Sequence, residues 1–107
     1  MLNDPLVMEA SRVLAQKLSS QQQNPDDWIR IAFRRILCRQ PSKRELEMLQ
    51  QYFTQQQVQF SNGKLDVGKT LSVGAYQQIP VSNPAATAAL MKVILTLYNL
   101  EETLSKT

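Results

Sequence analysis

Trp28-Ile-Arg-Ile-Ala-Phe-Arg-Arg-Ile-Leu-Cys-Arg-Gln-Pro41, then Ser42-Lys-Arg-Glu45 and the run through Leu49 to Phe53, decides the fold. Ile29, Ala32, Phe33, Ile36 and Leu37 recur at the spacing of one buried helical face. Pro41 cannot continue that helix, and it pushes Gln40 out of the α region. Ser42 and Glu45 form S-x-x-E, a capping box that starts a new helix. Leu46, Leu49 and Phe53 then carry an apolar face. The stretch is two helices joined by a corner, which is architecture and not chemistry.

Working outward, Asp4 is placed to cap a first helix with Pro5 at its first position. Leu6, Val7, Ala10, Val13, Leu14 and Leu18 are expected to line its buried face, and the helix fades in the polar run Ser19–Asn24. Asn24 and Pro25 repeat the cap-proline signature, and Asp26 and Asp27 follow where the helix dipole favours anions. The third helix is expected from Ser42 to about Gln57. Its glutamines read as a solvated face because Leu46, Leu49, Tyr52 and Phe53 interleave with them. Asn62-Gly63 marks a stop or turn. Up to Ser82 a short helix over Lys64–Ser72 closed by Gly74 and a hairpin are both compatible with the residues. Asn83 and Pro84 open the last helix, whose wide apolar arc (Ala86, Ala89, Leu90, Val93, Ile94, Leu97, Leu100, Leu104) predicts a central place. The chain reads as one all-α domain over residues 1–107. It is a compact bundle of four main helices with room for a short fifth, and an irregular loop over about 61–82.

Composition narrows the function classes. A chain of 107 residues is the size of one domain, and its net charge of +3 permits an acidic partner without demanding one. Histidine is absent, which removes Ser-His-Asp and Cys-His nucleophile activation and every histidine-ligated metal or haem. The single cysteine, Cys38, excludes an internal disulfide. No apolar run approaches the roughly 20 residues that span a bilayer, so no membrane insertion is expected. Met1–Pro5 lacks the regions of a signal peptide, and its abrupt start reads as the beginning of a piece cut from a longer protein.

Three stretches carry a family resemblance: Asn3-Asp-Pro-Leu-Val-Met-Glu-Ala-Ser-Arg12, Arg30-Ile-Ala-Phe-Arg-Arg-Ile-Leu-Cys-Arg-Gln-Pro-Ser-Lys-Arg-Glu-Leu46, and Leu95-Thr-Leu-Tyr-Asn-Leu-Glu-Glu-Thr103. In this order, over nearly the whole chain, they resemble the C-terminal part of the planctomycete cytochrome-associated domain of unknown function 1553, a PSD-type domain. The middle stretch is the most specific, close to A-F-R-x-x-L-G-R-x-P-[ST]-x-x-E-L. The resemblance implies a segment of a large exported protein that often carries c-type cytochrome-like domains elsewhere. Their C-x-x-C-H motif does not occur here. Cys38 stands where the family has glycine, a residue that supplies a left-handed helix end. Cys38 must therefore adopt that conformation with strain or end the helix differently. The family lends no function and no functional residues.

Two constellations are candidate sites. Gly63-Lys-Leu-Asp-Val-Gly68-Lys69-Thr70 satisfies the phosphate-loop pattern, in which backbone N–H groups cradle phosphates, Lys69 reaches them and Thr70 holds magnesium. Such a loop follows a strand and opens a long helix. Here a glutamine-rich helical segment precedes it, and Gly74 and Pro80 follow closely, so a coincidental turn is the better reading. Arg30, Arg34, Arg35 and Arg39, with Lys43 and Arg44 beyond, lie opposite Ile29, Phe33 and Ile36 and could grip a polyanion. Asp26, Asp27, Glu45 and Glu47 offer intramolecular partners, which favours a solvated face. The pairs Asp26/Asp27 and Glu101/Glu102 diverge by about 100° on a helix and are poor acid–base pairs. Cys38 has no activating base, and Met48, Met91 and Tyr98 read as core. The expected role is a non-catalytic structural or interaction module without a cofactor. Its partners would be other domains of a parent exported protein or a protein partner. The competing readings are polyanion binding by the arginine face and, more remotely, nucleotide binding at Gly63–Thr70.

Overall fold

Helix starts follow the cap-proline signals. In the computed structural model, which describes residues 5–21, 24–65, 67–71 and 83–105, α1 is Pro5–Gln21, α2 Pro25–Leu37, α3 Lys43–Ser61, α4 Val67–Leu71 and α5 Pro84–Ser105. No strand occurs among the described residues, and the all-α bundle stands. Asn24 Oδ1 accepts the Asp26 N–H at 3.0 Å, and Asn83 Oδ1 accepts that of Ala86 at 3.1 Å. Each side chain satisfies one of the amides that a helix start leaves without an intrahelical acceptor. Asp4 and residues 72–82, including Gly74 and Pro80, lie outside the described residues. Within the 61–82 loop the short-helix reading holds over Val67–Leu71. α3 runs on to Ser61, four residues beyond the expected Gln57, because Phe60, two turns beyond Phe53, extends its buried face.

The wide apolar arc of α5 puts it in the middle. α5 packs against α1, α2, α3 and α4, and Ala88, Ala89, Leu90, Val93, Ile94 and Leu97 are fully buried. Around it sit Leu14, Ala15 and Leu18 of α1, Trp28, Ile29, Ala32 and Phe33 of α2, and Phe53 and Phe60 of α3. Trp28 meets Phe53 edge-to-face, with ring centroids 6.1 Å apart, which fixes α2 against α3. Gln50 Nε2 donates to Asp26 at 2.7 Å across the same seam, and Ser19 and Thr87 join hydroxyls at 2.9 Å between α1 and α5.

α1 departs from the expected face. Leu14 and Leu18 are buried and Val7 partly so, but Leu6 and Ala10 are exposed and Val13 is only half-buried. The buried side is Ser11, Arg12, Leu14, Ala15, Gln16 and Leu18. The helix is rolled so that its most regular apolar stripe, Leu6–Ala10–Val13, faces outward. The polar groups turned inward have hydrogen-bond partners, two of them within α1 itself. Arg12 Nη1 donates to Gln16 Oε1 at 2.7 Å, and Ser11 Oγ donates to the Val7 carbonyl at 2.7 Å. No buried side-chain nitrogen or oxygen among the described residues lacks a hydrogen-bond partner, as burial of polar groups requires. Two smaller corrections concern the core. Met91 is buried and Tyr98 half-buried as expected, but Met48 is 61% exposed on the outer side of α3, and Leu100 is 38% exposed where α5 leaves its neighbours.

Candidate functional site

The corner between α2 and α3 brings together the densest set of polar contacts. α2 ends as Cys38 turns into the left-handed region, at φ 60° and ψ 28°, while its N–H still donates to the Arg34 carbonyl at 2.9 Å. Cys38 is the one non-glycine residue with positive φ among the described residues. Left-handed backbone costs an ordinary residue roughly 1–2 kcal/mol. Glycine relieves that strain but loses more chain entropy on folding, about 0.5–1 kcal/mol. Because the Cys38 side chain is exposed, Cys38→Gly is expected to be neutral or stabilising in chemical denaturation. A clear loss of stability would show that the thiol contributes packing the geometry does not reveal.

That left-handed turn aims Arg39 back over α2 and forward to α3. Its guanidinium carbon lies 4.9 Å from the Phe33 ring centroid. Its Nη1 and Nη2 donate to Glu45 Oε1 and Oε2 at 2.9 and 2.8 Å, a bidentate pair. Glu45 Oε1 also accepts the Ser42 N–H at 2.9 Å, and Ser42 Oγ accepts the Glu45 N–H at 3.1 Å, completing the expected capping box. One carboxylate thus caps α3 and anchors Arg39. The hydrogen bond from Arg39, then that from the Ser42 backbone, lowers the Glu45 pKa from 4.5 to about 2. The same bond raises the Arg39 pKa.

The pH response follows from the sign of that shift. A carboxyl whose pKa is lower when folded stabilises the fold above its unfolded pKa, and the stabilisation is lost as pH falls through the folded value. For Glu45 the window runs from about 4.5 down to about 2. The melting temperature should therefore fall more steeply in that window for the natural chain than for Glu45→Gln. Parallel slopes in a thermal scan series would show that the pair contributes nothing to the acid response.

The four candidate arginines separate. Arg39 is engaged with Glu45 and Phe33. Arg30, Arg34 and Arg35 are exposed on α2 and form no ion pair with the described carboxylates. Asp26 instead accepts from Gln50. Sequence reasoning offered Glu45 as a partner for this cluster but missed the contact of Arg39 with Phe33; the left-handed turn at Cys38 makes both reachable.

At Gly63–Thr70, Gly63 turns the chain after α3 with φ 78°. A β-carbon there would meet nothing within 4 Å, so glycine serves the backbone angle and not a close approach. The segment before it is a helix, and the one that carries Gly68 and Thr70 is five residues long. Asp66 and the Lys69 side chain lie outside the described residues.

Two open apolar grooves complete the surface. One of about 270 Å³ lies between α3 and α5 over Phe33, lined by Met48, Leu49, Leu97 and Leu100. The other, about 350 Å³, runs along the outer face of α1 past Leu6, Ala10 and Val13 to Lys17 and Arg35. Among the described residues, no three His, Cys, Asp or Glu side chains are placed to hold a metal ion, and no helix is long and apolar enough to cross a membrane.

No curated protein and no solved structure matches the chain. A family model does, that of PSD1, described as a protein of unknown function (DUF1553), over residues 1–53. The match takes in the Asn3–Arg12 and Arg30–Leu46 stretches, while Leu95–Thr103 lies beyond it. Phe33, Arg39, Pro41, Ser42 and Glu45, the residues of the corner, all fall inside the matched residues, so the corner belongs to the part of the chain that is similar to a DUF1553-type domain.

Proposed function

We propose that the domain is a non-catalytic structural or protein-interaction module of a larger exported, cytochrome-associated protein. The observation that supports this reading is the apolar surface it leaves open. Leu6, Met48 and Leu100 are 78, 61 and 38% exposed, and each borders a groove floored by further apolar side chains. Contiguous apolar surface of this kind marks places where another surface fits. A photo-crosslinking residue at Met48 in the intact parent protein tests the reading, with exposed Lys64 as control. The expected result is a discrete cross-link from position 48, to another domain of the parent or to one partner. Cross-linking no greater than at position 64 would remove the support.

Arg30, Arg34 and Arg35 favour a second reading, polyanion binding. Each phosphate contact releases counterions, so such binding would weaken steeply with salt. With only three exposed arginines on α2 that form no ion pair with a described carboxylate, we expect weak binding of duplex DNA at physiological salt. Micromolar or tighter affinity, abolished by replacing all three with glutamate, would put the polyanion reading first.

A further inference from the structure

The rolled orientation of α1 makes its outer face the most informative surface on the molecule. Leu6, Ala10 and Val13 recur at the spacing of a stripe that a helix normally buries, yet here Leu6 and Ala10 are exposed and Val13 is only half-buried. The inward side meanwhile takes Arg12, Gln16 and Ser11, each fully or almost fully buried. A helix held with polar groups inside and an apolar stripe outside has two packed faces in prospect, one of them left open by the described residues. The groove along that stripe is not electrically neutral. Arg35 reaches it from α2, exposed and without an ion pair to any described carboxylate, and Lys17 lies on the same side, with Glu9 further along.

We propose that this groove docks an amphipathic helical segment whose apolar residues sit on Leu6, Ala10 and Val13 and whose carboxylates lie beside Arg35. Helix-in-groove recognition needs an apolar floor with anchors at helical spacing and a rim that sets orientation. Here the floor is the α1 stripe, and the rim is basic at Arg35 and Lys17, with Glu9 as the acidic group on the α1 side. Charge complementarity sets orientation and excludes wrong partners more than it adds affinity, so Arg35 decides which helix fits. The inference rests on the interaction-module reading and specifies its partner.

The test uses two synthetic amphipathic peptides that share one leucine stripe, flanked by glutamates in one and by lysines in the other. Each is titrated into the isotope-labelled chain while backbone amide shifts are followed. The glutamate-flanked peptide should bind and move amides of α1 and of α2 around Arg35. Arg35→Glu should reverse the preference to the lysine-flanked peptide. Leu6→Asp and Val13→Asp should each weaken binding by roughly tenfold or more, with circular dichroism confirming that the helices persist. Failure of both peptides to bind, equal binding of the two, or shifts confined to the Met48–Leu100 groove would overturn the proposal. So would concentration-dependent dimers abolished by Leu6→Asp, which would assign the stripe to a second copy. Binding of duplex DNA that competes with the peptide but ignores Leu6→Asp would assign Arg35 to polyanions instead. Cross-linking at Met48 is independent of the α1 stripe, so a cross-link there with peptide failure here would spare the module reading and reject this groove.

Discussion

Phe33→Ala should bring the domain close to unfolding. Phe33 is 1% exposed and packs into the shared core of α2 and α5. Truncating a buried phenylalanine typically costs about 3–5 kcal/mol, from lost transfer energy plus the cavity left behind. The whole stability of a domain this size is about 5–15 kcal/mol. Phe33 carries a second duty, because its ring is also the platform for Arg39. Its loss therefore reaches the corner as well as the core. Denaturant titration should show the loss directly, and the melting temperature should drop by roughly 15 °C or more. Met48→Ala, at an exposed position on α3, should shift stability by no more than about 0.5 kcal/mol. A Phe33→Ala variant as stable as Met48→Ala would mean that the core is not built around this ring.

Arg12→Ala should also be clearly destabilising, though nothing in the sequence pattern marks Arg12 as interior. The substitution removes a fully buried side chain and withdraws the donor from Gln16 Oε1. Taking one partner from a buried hydrogen bond costs about 1–3 kcal/mol, and the lost packing of the arginine stem adds to it. Arg30→Ala, on exposed α2 surface, is the control and should stay within about 0.5 kcal/mol. A double-mutant cycle with Gln16→Ala should return a coupling energy of about 0.5–3 kcal/mol. Additive effects would show that the two side chains are stabilised separately.

The corner was legible because each of its residues has a local meaning. Pro41 stops a helix, Ser42 and Glu45 cap the next, and both capping bonds formed. The same holds for Asn24 and Asn83, and for the central place of α5, whose apolar arc is too wide for a surface helix. The orientation of α1 was not legible. Periodicity reports that a stripe exists, but which neighbour covers it depends on tertiary packing. Leu6–Ala10–Val13 and the interior Arg12 are the result, and the candidate groove went unnoticed with them. The contact of Arg39 with Phe33 was not legible for a related reason. A helical wheel places it on the charged arc of α2, but α2 ends at Leu37, and beyond the left-handed Cys38 the wheel no longer applies.

The central place of α5 also bears on how the chain reaches its fold. α1, α2 and α3 each touch α5 more extensively than they touch one another. Their shared core is therefore assembled from residues far apart in sequence, Leu14, Phe33 and Phe53 joining Leu90 and Leu97 in one cluster. Contacts of long sequence separation slow folding, because the chain must close large loops before it gains anything from them. On a ribosome, α1 to α3 emerge before the helix that will cover them, with Trp28, Phe33 and Phe53 still in water. The bundle is thus completed only once α5 has been made, and a chain that has not yet reached α5 exposes its stickiest surface while it waits.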